Sequence, residues 1–367
     1  MNPFVIHGYS TPETFCDREA ETEKLLRAIE NGRNVTLLAE RRIGKTGLIC
    51  HLFHQLREGG RLPCILVDIF ATQNLLEFTK CFASAVIGSM DTRLDKALQI
   101  ATGFFKSFRP NLTVDAVTGA PTLSFGLQAL PVETTLKECF NYLSAKGPCV
   151  VALDEFQQIA NYPETGTEAL LRASVQQLPE TRFIFAGSRH HLMTEMFASA
   201  KRPFYNSTQT LPLGRIDPEL YFPFARRHMA DAGIELTRDV FDLIYTMFDG
   251  VTWNVQVMLN RLYERRQAER TDVQTVVSEL LQEKSWEYAA LLKSLPAGVV
   301  RLLKAVARAR CVKEPTSAAF LSENALRGAS SVRLSARKAL EDELLYASDE
   351  GLVVYDRLFA IWLSRLP

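Results

Sequence analysis

The chain has 367 residues, and its 42 lysines and arginines balance its 42 aspartates and glutamates. Hydrophobic residues make up 47% and charged residues 23%, which excludes a mainly disordered chain, a collagen-like chain and a small disulfide scaffold. Because the net charge is zero, we do not expect the whole molecule to attract DNA or an anionic membrane, although a local basic patch stays open. The length predicts about two to three domains.

The seven cysteines are scattered and form no CxxC pair, so we interpret them as thiols of a reducing compartment. Residues 1–8 lack the basic and apolar regions of a secretory signal. No apolar run approaches the roughly 20 residues that span a bilayer. The sequence therefore predicts a cytoplasmic protein without a membrane partner.

In chain order, the first half alternates helix and strand patterns. Residues 17–31 predict a helix that Asp17 caps and Gly32 ends. Apolar runs at 34–39 and 64–70 predict buried strands, and a helix from residue 46 to about 57 lies between them. Further strands are predicted at 148–153, 182–186 and 208–213, and further helices at about 132–147, 164–178 and 188–199. This alternation predicts an α/β fold with a parallel sheet.

The later segments follow other patterns. Residues 112–127 alternate polar and apolar side chains around a Thr-Gly-Ala-Pro turn, which predicts a β-hairpin inserted in the α/β unit. Strand patterns stop near residue 214, and residues 217–290 predict several helices. From about residue 291, helices at 296–310 and 330–343 precede a short hairpin, the outline of a winged helix. We therefore predict domains at 1–213, 214–290 and 291–367.

Residues 39–46 follow the Walker A pattern G-x-x-x-x-G-K-[ST], except that Ala39 replaces the first glycine. An apolar strand leads into this loop and an amphipathic helix leads out, a context in which backbone N–H groups bind phosphate. Lys45 supplies a cation for the phosphates and Thr46 a hydroxyl for Mg²⁺. The alternative is a strand-to-helix turn with a chance Gly-Lys-Thr. The predicted loop contacts are Ala39, Glu40, Arg41, Arg42, Ile43, Gly44, Lys45, Thr46 and Gly47.

Ala39 is a departure with a predicted consequence. Because alanine tolerates a positive φ poorly, we expect a slightly altered geometry at the start of the loop.

Two strand ends carry polar groups suited to the same chemistry. Asp154 and Glu155 end an apolar run, where Asp154 would hold Mg²⁺ and Glu155 would orient or deprotonate a water. Ser188 follows the next strand, beside Arg189, and is our candidate for sensing the terminal phosphate. The alternatives are a solvated strand end and a serine that caps the following helix.

Other candidates leave alternatives open. Arg41 and Arg42 contact phosphate or a partner subunit, or they pair with acids such as Glu40. Arg202 is a candidate catalytic arginine finger, and the alternative is a surface or interface arginine. His51 and His54 have a spacing that a metal site could use, but without further ligands we favour a structural role.

The last predicted helix of the winged helix carries Arg333, Arg337 and Lys338, a pattern suited to phosphate contacts. Acidic residues 341–343 follow at once, and residues 295–367 contain 11 basic and 8 acidic residues. This small surplus is weak for DNA binding. Both a DNA partner and a protein partner stay open.

Taken together, the chain resembles the archaeal-type ATPases, a STAND-like branch of the AAA+ P-loop proteins related to origin-recognition ATPases. The matching segments are residues 15–19, 41–46, 153–157, 187–189, 202–205, 330–332 and 355–363. The resemblance implies sheet order 5-1-4-3-2, a helical lid, a C-terminal winged helix, and an adenine site beside Phe15 and Arg18. The lid segment at Gly250 lacks the proline turn common in relatives, which weakens any sensing role there.

Two functions follow as hypotheses. The first is an ATPase that binds ATP or ADP with Mg²⁺ and acts as a nucleotide-dependent switch, in which hydrolysis rearranges the lid and the winged helix. The second is a DNA-binding or scaffold protein whose nucleotide site is structural, with little hydrolysis. An oligomer is compatible with either hypothesis.

Overall fold

The computed structural model of the chain describes residues 2–60, 62–90, 108–114, 121–127, 131–348 and 350–366. They form two compact units. The sheet unit is His7–Ile216, and the helical unit is Met1–Ile6 together with Asp217–Pro367.

A five-stranded parallel sheet forms the centre of the sheet unit. The strands of this unit are β1 Val35–Ala39, β2 Cys64–Asp68, β3 Phe108–Val114, β4 Pro121–Leu127, β5 Cys149–Asp154, β6 Thr181–Gly187 and β7 Gln209–Leu213. The large sheet has the order β2-β5-β6-β1-β7, with every neighbouring pair parallel. This order confirms the predicted 5-1-4-3-2 arrangement. It brings the carboxyl ends of all five strands to one edge.

Helices pack against this sheet because its central strands are mostly apolar. Every residue of β1 and β5 is buried, which is typical of parallel strands covered on both faces. The helices are α1 Glu19–Glu30, α2 Lys45–Glu58, α3 Leu75–Met90, α4 Val132–Lys146, α5 Thr167–Gln176 and α6 His190–Ala198. Two short 3₁₀ helices occur at Pro12–Thr14 and Phe156–Asn161.

Aromatic side chains hold the 3₁₀ helix after β5 in place. Phe156 is fully buried, and its ring centroid lies 4.7 Å from that of Phe185 on β6 and 5.3 Å from that of Phe204. Phe197 of α6 completes the cluster. The segments that follow β5 and β6 are thereby fixed to one another through the core.

The prediction that Asp17 caps α1 is wrong. Arg18 is the residue that precedes the helix, and Asp17 and Arg18 have φ values of 58° and 76°. These left-handed conformations turn the chain just before the helix. The Arg18 side chain is thereby directed into the interior, where it is 3% exposed.

A separate two-stranded sheet is inserted between α3 and α4. Strands β3 and β4 pair antiparallel, with Phe108 opposite Leu127 and Val114 opposite Pro121. The predicted hairpin at 112–127 overlaps these strands, and the loop at 115–120 lies outside the described residues.

The helical unit begins with α7 Pro218–Ala230, α8 Arg238–Met247, α9 Thr252–Arg265 and α10 Arg270–Ser294. Residues 2–6 pack on these helices. Phe4 is fully buried, with its ring centroid 6.4 Å from that of Phe224. Trp253 Nε1 donates to the Ile6 carbonyl at 3.0 Å, and Asn260 Nδ2 donates to the Phe4 carbonyl at 2.7 Å. The chain therefore passes between the units twice, at 6–7 and at 216–217, whereas the sequence placed residues 1–213 together.

The remaining elements form a winged helix. They are α11 Ala297–Ala309, α12 Ala318–Glu323, α13 Ala329–Glu341, β8 Leu345–Ser348, β9 Gly351–Val354 and α14 Arg357–Ser364. The two strands pair antiparallel, and Val312 forms a bridge to Leu352. No helix among the described residues has both the length and the apolar composition that crossing a membrane requires.

Candidate functional site

The Walker A loop connects β1 to α2. Helix α2 begins at Lys45, and Gly44 precedes it with a φ of 99°. Arg42 also has a positive φ, of 66°. Ala39 is the last residue of β1 and has no positive φ, so alanine is accommodated there without backbone strain. The expected disturbance at Ala39 is therefore not observed.

The loop side chains meet the carboxylates at the end of β5. Lys45 Nζ lies 2.9 Å from Glu155 Oε1 and 3.2 Å from Asp154 Oδ1. Thr46 Oγ1 donates to Asp154 Oδ2 at 2.5 Å. Lys45 is 6% exposed and Asp154 is 3% exposed, so these charges interact away from bulk water. The structure thus brings together two pairs of residues that lie more than 100 positions apart in the sequence: Lys45 and Glu155 are separated by 110 positions, and Thr46 and Asp154 by 108.

Ser188 and Gln157 complete this cluster around Glu155. Ser188 Oγ donates to Glu155 Oε2 at 2.7 Å, and Gln157 Nε2 donates to the same oxygen at 2.5 Å. The hydroxyl of Ser188 does not cap α6, whose preceding residue is Arg189. Gln157 belongs to the Leu-Asp-Glu-Phe-Gln segment, but no pattern in the sequence predicts a role for it.

Two opposing effects set the acidity of Glu155. Burial favours the neutral acid and would raise its pKa. The charge of Lys45, together with hydrogen bonds from Lys45, Gln157 and Ser188, outweighs burial and leaves the pKa of Glu155 below its usual value of 4.5. Glu155 is therefore ionised at neutral pH.

The residues present fit a nucleotide phosphate with a bound cation. A Cβ built on Gly44 meets no atom within 4 Å, so there is open space beside the N-terminus of α2, where anions bind favourably. Thr46 and Asp154 offer adjacent oxygen ligands, and Mg²⁺ is commonly held by one or two carboxylates plus phosphates. The described residues contain no group of three or more His, Cys, Asp or Glu that would hold a metal alone. The spacing of His51 and His54 thus gains no support as a metal site.

Phe15 and His51 lie beside the same helix. The Phe15 ring stacks on His51 with centroids 4.5 Å apart, and a Cβ built on Gly47 would lie 3.4 Å from Phe15. Tyr9 forms a hydrogen bond of 3.1 Å with His51 Nδ1. Burial, with a smaller contribution from His54, lowers the pKa of His51, so this ring is neutral at neutral pH. Together these rings form an aromatic surface next to the first turns of α2.

Arg18 contacts the loop from within the protein. Its Nη2 donates to the Ile43 carbonyl at 3.3 Å and to the Gly214 carbonyl at 2.6 Å, and its Nη1 pairs with Glu21 at 3.0 Å. Glu40 lies 3.7 Å from Arg215. The loop is therefore linked at two points to residues 214–215.

Two predicted arginines make other contacts in the sheet unit. The guanidinium of Arg41 lies 5.6 Å from the centroid of the exposed Phe70 ring. Arg202 pairs closely with Glu168 and lies 3.8 Å from Glu195. Burial raises the pKa of Glu168 more than the charge of Arg202 lowers it. Arg202 does not join the Lys45 cluster in this arrangement.

The winged helix presents a mixed surface on α13. Arg333, Arg337 and Lys338 are all exposed, and Lys338 Nζ pairs with Asp342 at 2.9 Å. Leu334 is 69% exposed and Leu340 is 38% exposed on the same helix. Val332, Ala336 and Ala339 face the interior. The outer face of α13 is thus both basic and apolar.

Comparisons with known proteins agree with this fold. A family model described as a probable winged helix domain matches residues 286–365. A Walker-type ATPase of Pyrococcus abyssi has a similar structure, with a TM-score of 0.70 at 18% identity, over 98% of this chain and 99% of that one. The Aeropyrum pernix ORC2 protein, solved in ADPNP-ADP complexes, has a TM-score of 0.62 at 16% identity, over 99% of this chain and 95% of that one.

The Aeropyrum pernix ORC1 protein, solved in complex with DNA, has a TM-score of 0.54 at 14% identity, over 96% of this chain and 93% of that one. No curated protein sequence matches the chain. The predicted resemblance to archaeal-type ATPases with a winged helix is confirmed at the level of the fold.

Proposed function

We propose that this chain, which has the fold of the archaeal Walker-type and origin-recognition ATPases, binds Mg²⁺-ATP at residues 39–47 and hydrolyses it. The observation that carries the proposal is the buried contact of Lys45 with Asp154 and Glu155 at the N-terminus of α2. A buried lysine between two carboxylates, at an anion-binding helix end, suits phosphate chemistry better than it suits stability.

Each side chain then has a role. Lys45 and the loop N–H groups bind the phosphates, and Phe15 borders the base. Thr46 and Asp154 would hold Mg²⁺, which would neutralise charge on the phosphates. Glu155 accepts a proton from water while the water oxygen bonds to the terminal phosphorus. The bond from that phosphorus to the bridging oxygen breaks, and ADP leaves with the electron pair.

The links from the loop to residues 214–215 support a nucleotide-dependent switch. Arg18 bonds Ile43 of the loop and Gly214, while Glu40 approaches Arg215. Residues 214–215 lie just before the point where the chain enters the helical unit. A shift of the loop on hydrolysis would therefore act on this connection, and through it on the lid and winged helix.

Phosphate release from Mg²⁺-ATP tests the enzymatic part. We expect turnover in the wild type and none above background in Lys45→Ala. Glu155→Gln should keep nucleotide bound and lose turnover by about 10²- to 10⁴-fold. Lys338→Ala is the matched control, since it removes a surface lysine, and should turn over normally.

Equal turnover in the wild type and Lys45→Ala would refute the proposal. Bound nucleotide with no turnover in the wild type would leave the alternative, a scaffold with a structural nucleotide.

The surface of α13 supports a protein partner over DNA. Leu334 and Leu340 are exposed among the basic residues, and Asp342 pairs with Lys338. Duplex DNA offers phosphates that an apolar and partly acidic face does not match. Titration with duplex DNA at two salt concentrations checks this assignment. Strong binding that weakens with salt and is lost in Arg337→Glu would assign the surface to DNA instead.

A further inference from the structure

Gln157 is a buried polar side chain that has no role in the proposed binding and hydrolysis of ATP. It is 5% exposed and lies on the 3₁₀ helix directly after β5. Glu155, at the start of this helix, has a φ of 56°, so the chain turns sharply between β5 and Gln157. The turn brings the Gln157 amide back toward the carboxylate of Glu155.

The two oxygens of Glu155 have different partners. Oε2 accepts from Gln157 Nε2 at 2.5 Å and from Ser188 Oγ at 2.7 Å. Gln157 Nε2 also lies 3.4 Å from Ser188 Oγ, so the three groups form one network. Oε1 faces Lys45 Nζ at 2.9 Å. Fixing one oxygen with two donors prevents rotation of the carboxylate and directs the other oxygen at the lysine.

The backbone of β6 leaves room for this amide. A Cβ added at Gly187 would overlap Gln157 Oε1, and it would lie 2.5 Å from Met193 Sδ. Glycine at position 187 therefore lets Gln157 lie flat against the strand end. The orientation of the amide is also determined, because the opposite one would set an oxygen against the Glu155 carboxylate.

Stability alone does not explain a glutamine here. Its Oε1 is buried and accepts no hydrogen bond from any group in the described part of the chain. A buried acceptor without a donor costs free energy, which an apolar side chain of similar shape would avoid. The donor end of the amide is therefore the part that the site uses.

We propose that Gln157 is a positioning residue, which together with Ser188 fixes Oε2 of Glu155 and keeps Oε1 directed at the reacting water. This inference rests on the proposed function. When Lys45 turns to the phosphates, Oε1 is released to accept the proton of water. Without Gln157, the Glu155 carboxylate rotates, and Oε1 is no longer directed at the reacting water.

The test compares kcat and KM for Mg²⁺-ATP in Gln157→Leu and the wild type. We expect kcat to fall by about tenfold or more, since Glu155 is misdirected. KM should stay within about twofold, because Gln157 does not contact the loop.

Two further variants separate positioning from packing. Gln158→Leu is the matched control, since this neighbouring amide donates to the Thr72 carbonyl at 3.0 Å, and we expect wild-type kcat. Gly187→Ala displaces Gln157 without removing it, and should also lower kcat.

Wild-type kcat in Gln157→Leu would overturn the inference, as would an equal loss in Gln158→Leu. Failure of the proposed function would appear separately, as normal turnover in Glu155→Gln.

Discussion

The two units of the molecule keep their charged groups in different places. In the described part of the sheet unit, three buried residues carry charges: Arg18, Lys45 and Asp154. Arg18 donates to the carbonyl of Ile43 in the loop, and Lys45 pairs with Asp154 at the end of β5. In the helical unit, Arg357 is the one charged residue buried among those described. Ion pairs of the helical unit such as Arg238 with Glu219 and Arg261 with Glu283 lie at the surface.

This difference locates the chemistry. Removing charges from water costs free energy that their mutual attraction often fails to recover, whereas exposed pairs change stability little. A cluster of buried charges is therefore a candidate functional site, while the exposed pairs of the helical unit are neutral toward function. If the units differ in this way, they should also unfold independently of each other.

The largest effect is expected in the core of the sheet unit. Phe185 is 1% exposed and packs against four aromatic rings, so Phe185→Ala should destabilise this unit by about 3–5 kcal/mol. All three tryptophans, Trp253, Trp286 and Trp362, belong to the helical unit. Tryptophan fluorescence therefore reports that unit, and circular dichroism reports both.

In urea, Phe185→Ala should lower the dichroism midpoint and leave the fluorescence midpoint in place. Leu303→Ala, at a fully buried position of α11, is the counterpart and should move the fluorescence midpoint. If Phe185→Ala moves both signals together, the units unfold as one and the comparison fails.

A smaller loss is expected from the wing of the helical unit. A Cβ on Gly351 would lie 2.6 Å from the backbone carbon of Val312, and Gly351 has a φ of 146°. Gly351→Ala should cost about 1–3 kcal/mol from the strained backbone, with the overlap adding to this. Gly328→Ala is the matched control, because Gly328 also has a positive φ, of 125°, but no atom within 4 Å of its added Cβ.

Fluorescence-monitored unfolding compares the two glycine variants. Equal losses of unfolding free energy in the two variants would show that the wing moves to accommodate the Cβ added at Gly351. Backbone strain would then account for the whole loss.

A pH-dependent effect should distinguish two carboxylates of the sheet unit. The pKa of Glu155 is lowered in the fold, because Lys45 and three hydrogen bonds outweigh burial. Its ionised form therefore stabilises the fold above its ordinary pKa of 4.5, and this stability is lost as pH falls through the lower folded value. The stability difference between the wild type and Glu155→Gln should shrink as pH falls below 4.5.

Glu168 should behave in the opposite way. Burial raises its pKa, so its ionisation favours unfolding, and the wild type should lose stability relative to Glu168→Gln as pH rises through the raised value. Urea unfolding from pH 3.5 to about pH 7 measures both differences. Parallel curves for the two variants would contradict the opposite shifts.

The sequence predicted the site through patterns in single segments, and it failed where distant segments meet. The Gly-Lys-Thr loop and the Asp-Glu strand end are local signals, and a parallel sheet brings their ends together. The contacts of Gln157 depend on a left-handed turn at Glu155, and the pairing of Arg202 depends on where α5 begins. Neither the turn at Glu155 nor the pairing of Arg202 with Glu168 has a local sequence pattern. Residues 2–6 lack periodicity of their own and are placed by Trp253 and Asn260.

The smallest effect is expected on α13, and it separates stability from recognition. Leu334 is 69% exposed, so Leu334→Ser should change the free energy of unfolding, followed by fluorescence, by no more than about 0.5 kcal/mol. Val332 lies two residues earlier and is 3% exposed, so Val332→Ser should cost clearly more, because it buries a hydroxyl in an apolar contact. ATP turnover should be normal in Leu334→Ser, since the residue lies outside the sheet unit. A folded, active protein that tolerates serine at this position shows that neither stability nor turnover requires Leu334. An exposed leucine between Arg333 and Arg337 is then available for a protein partner, whereas a large loss of stability in Leu334→Ser would assign it to the fold.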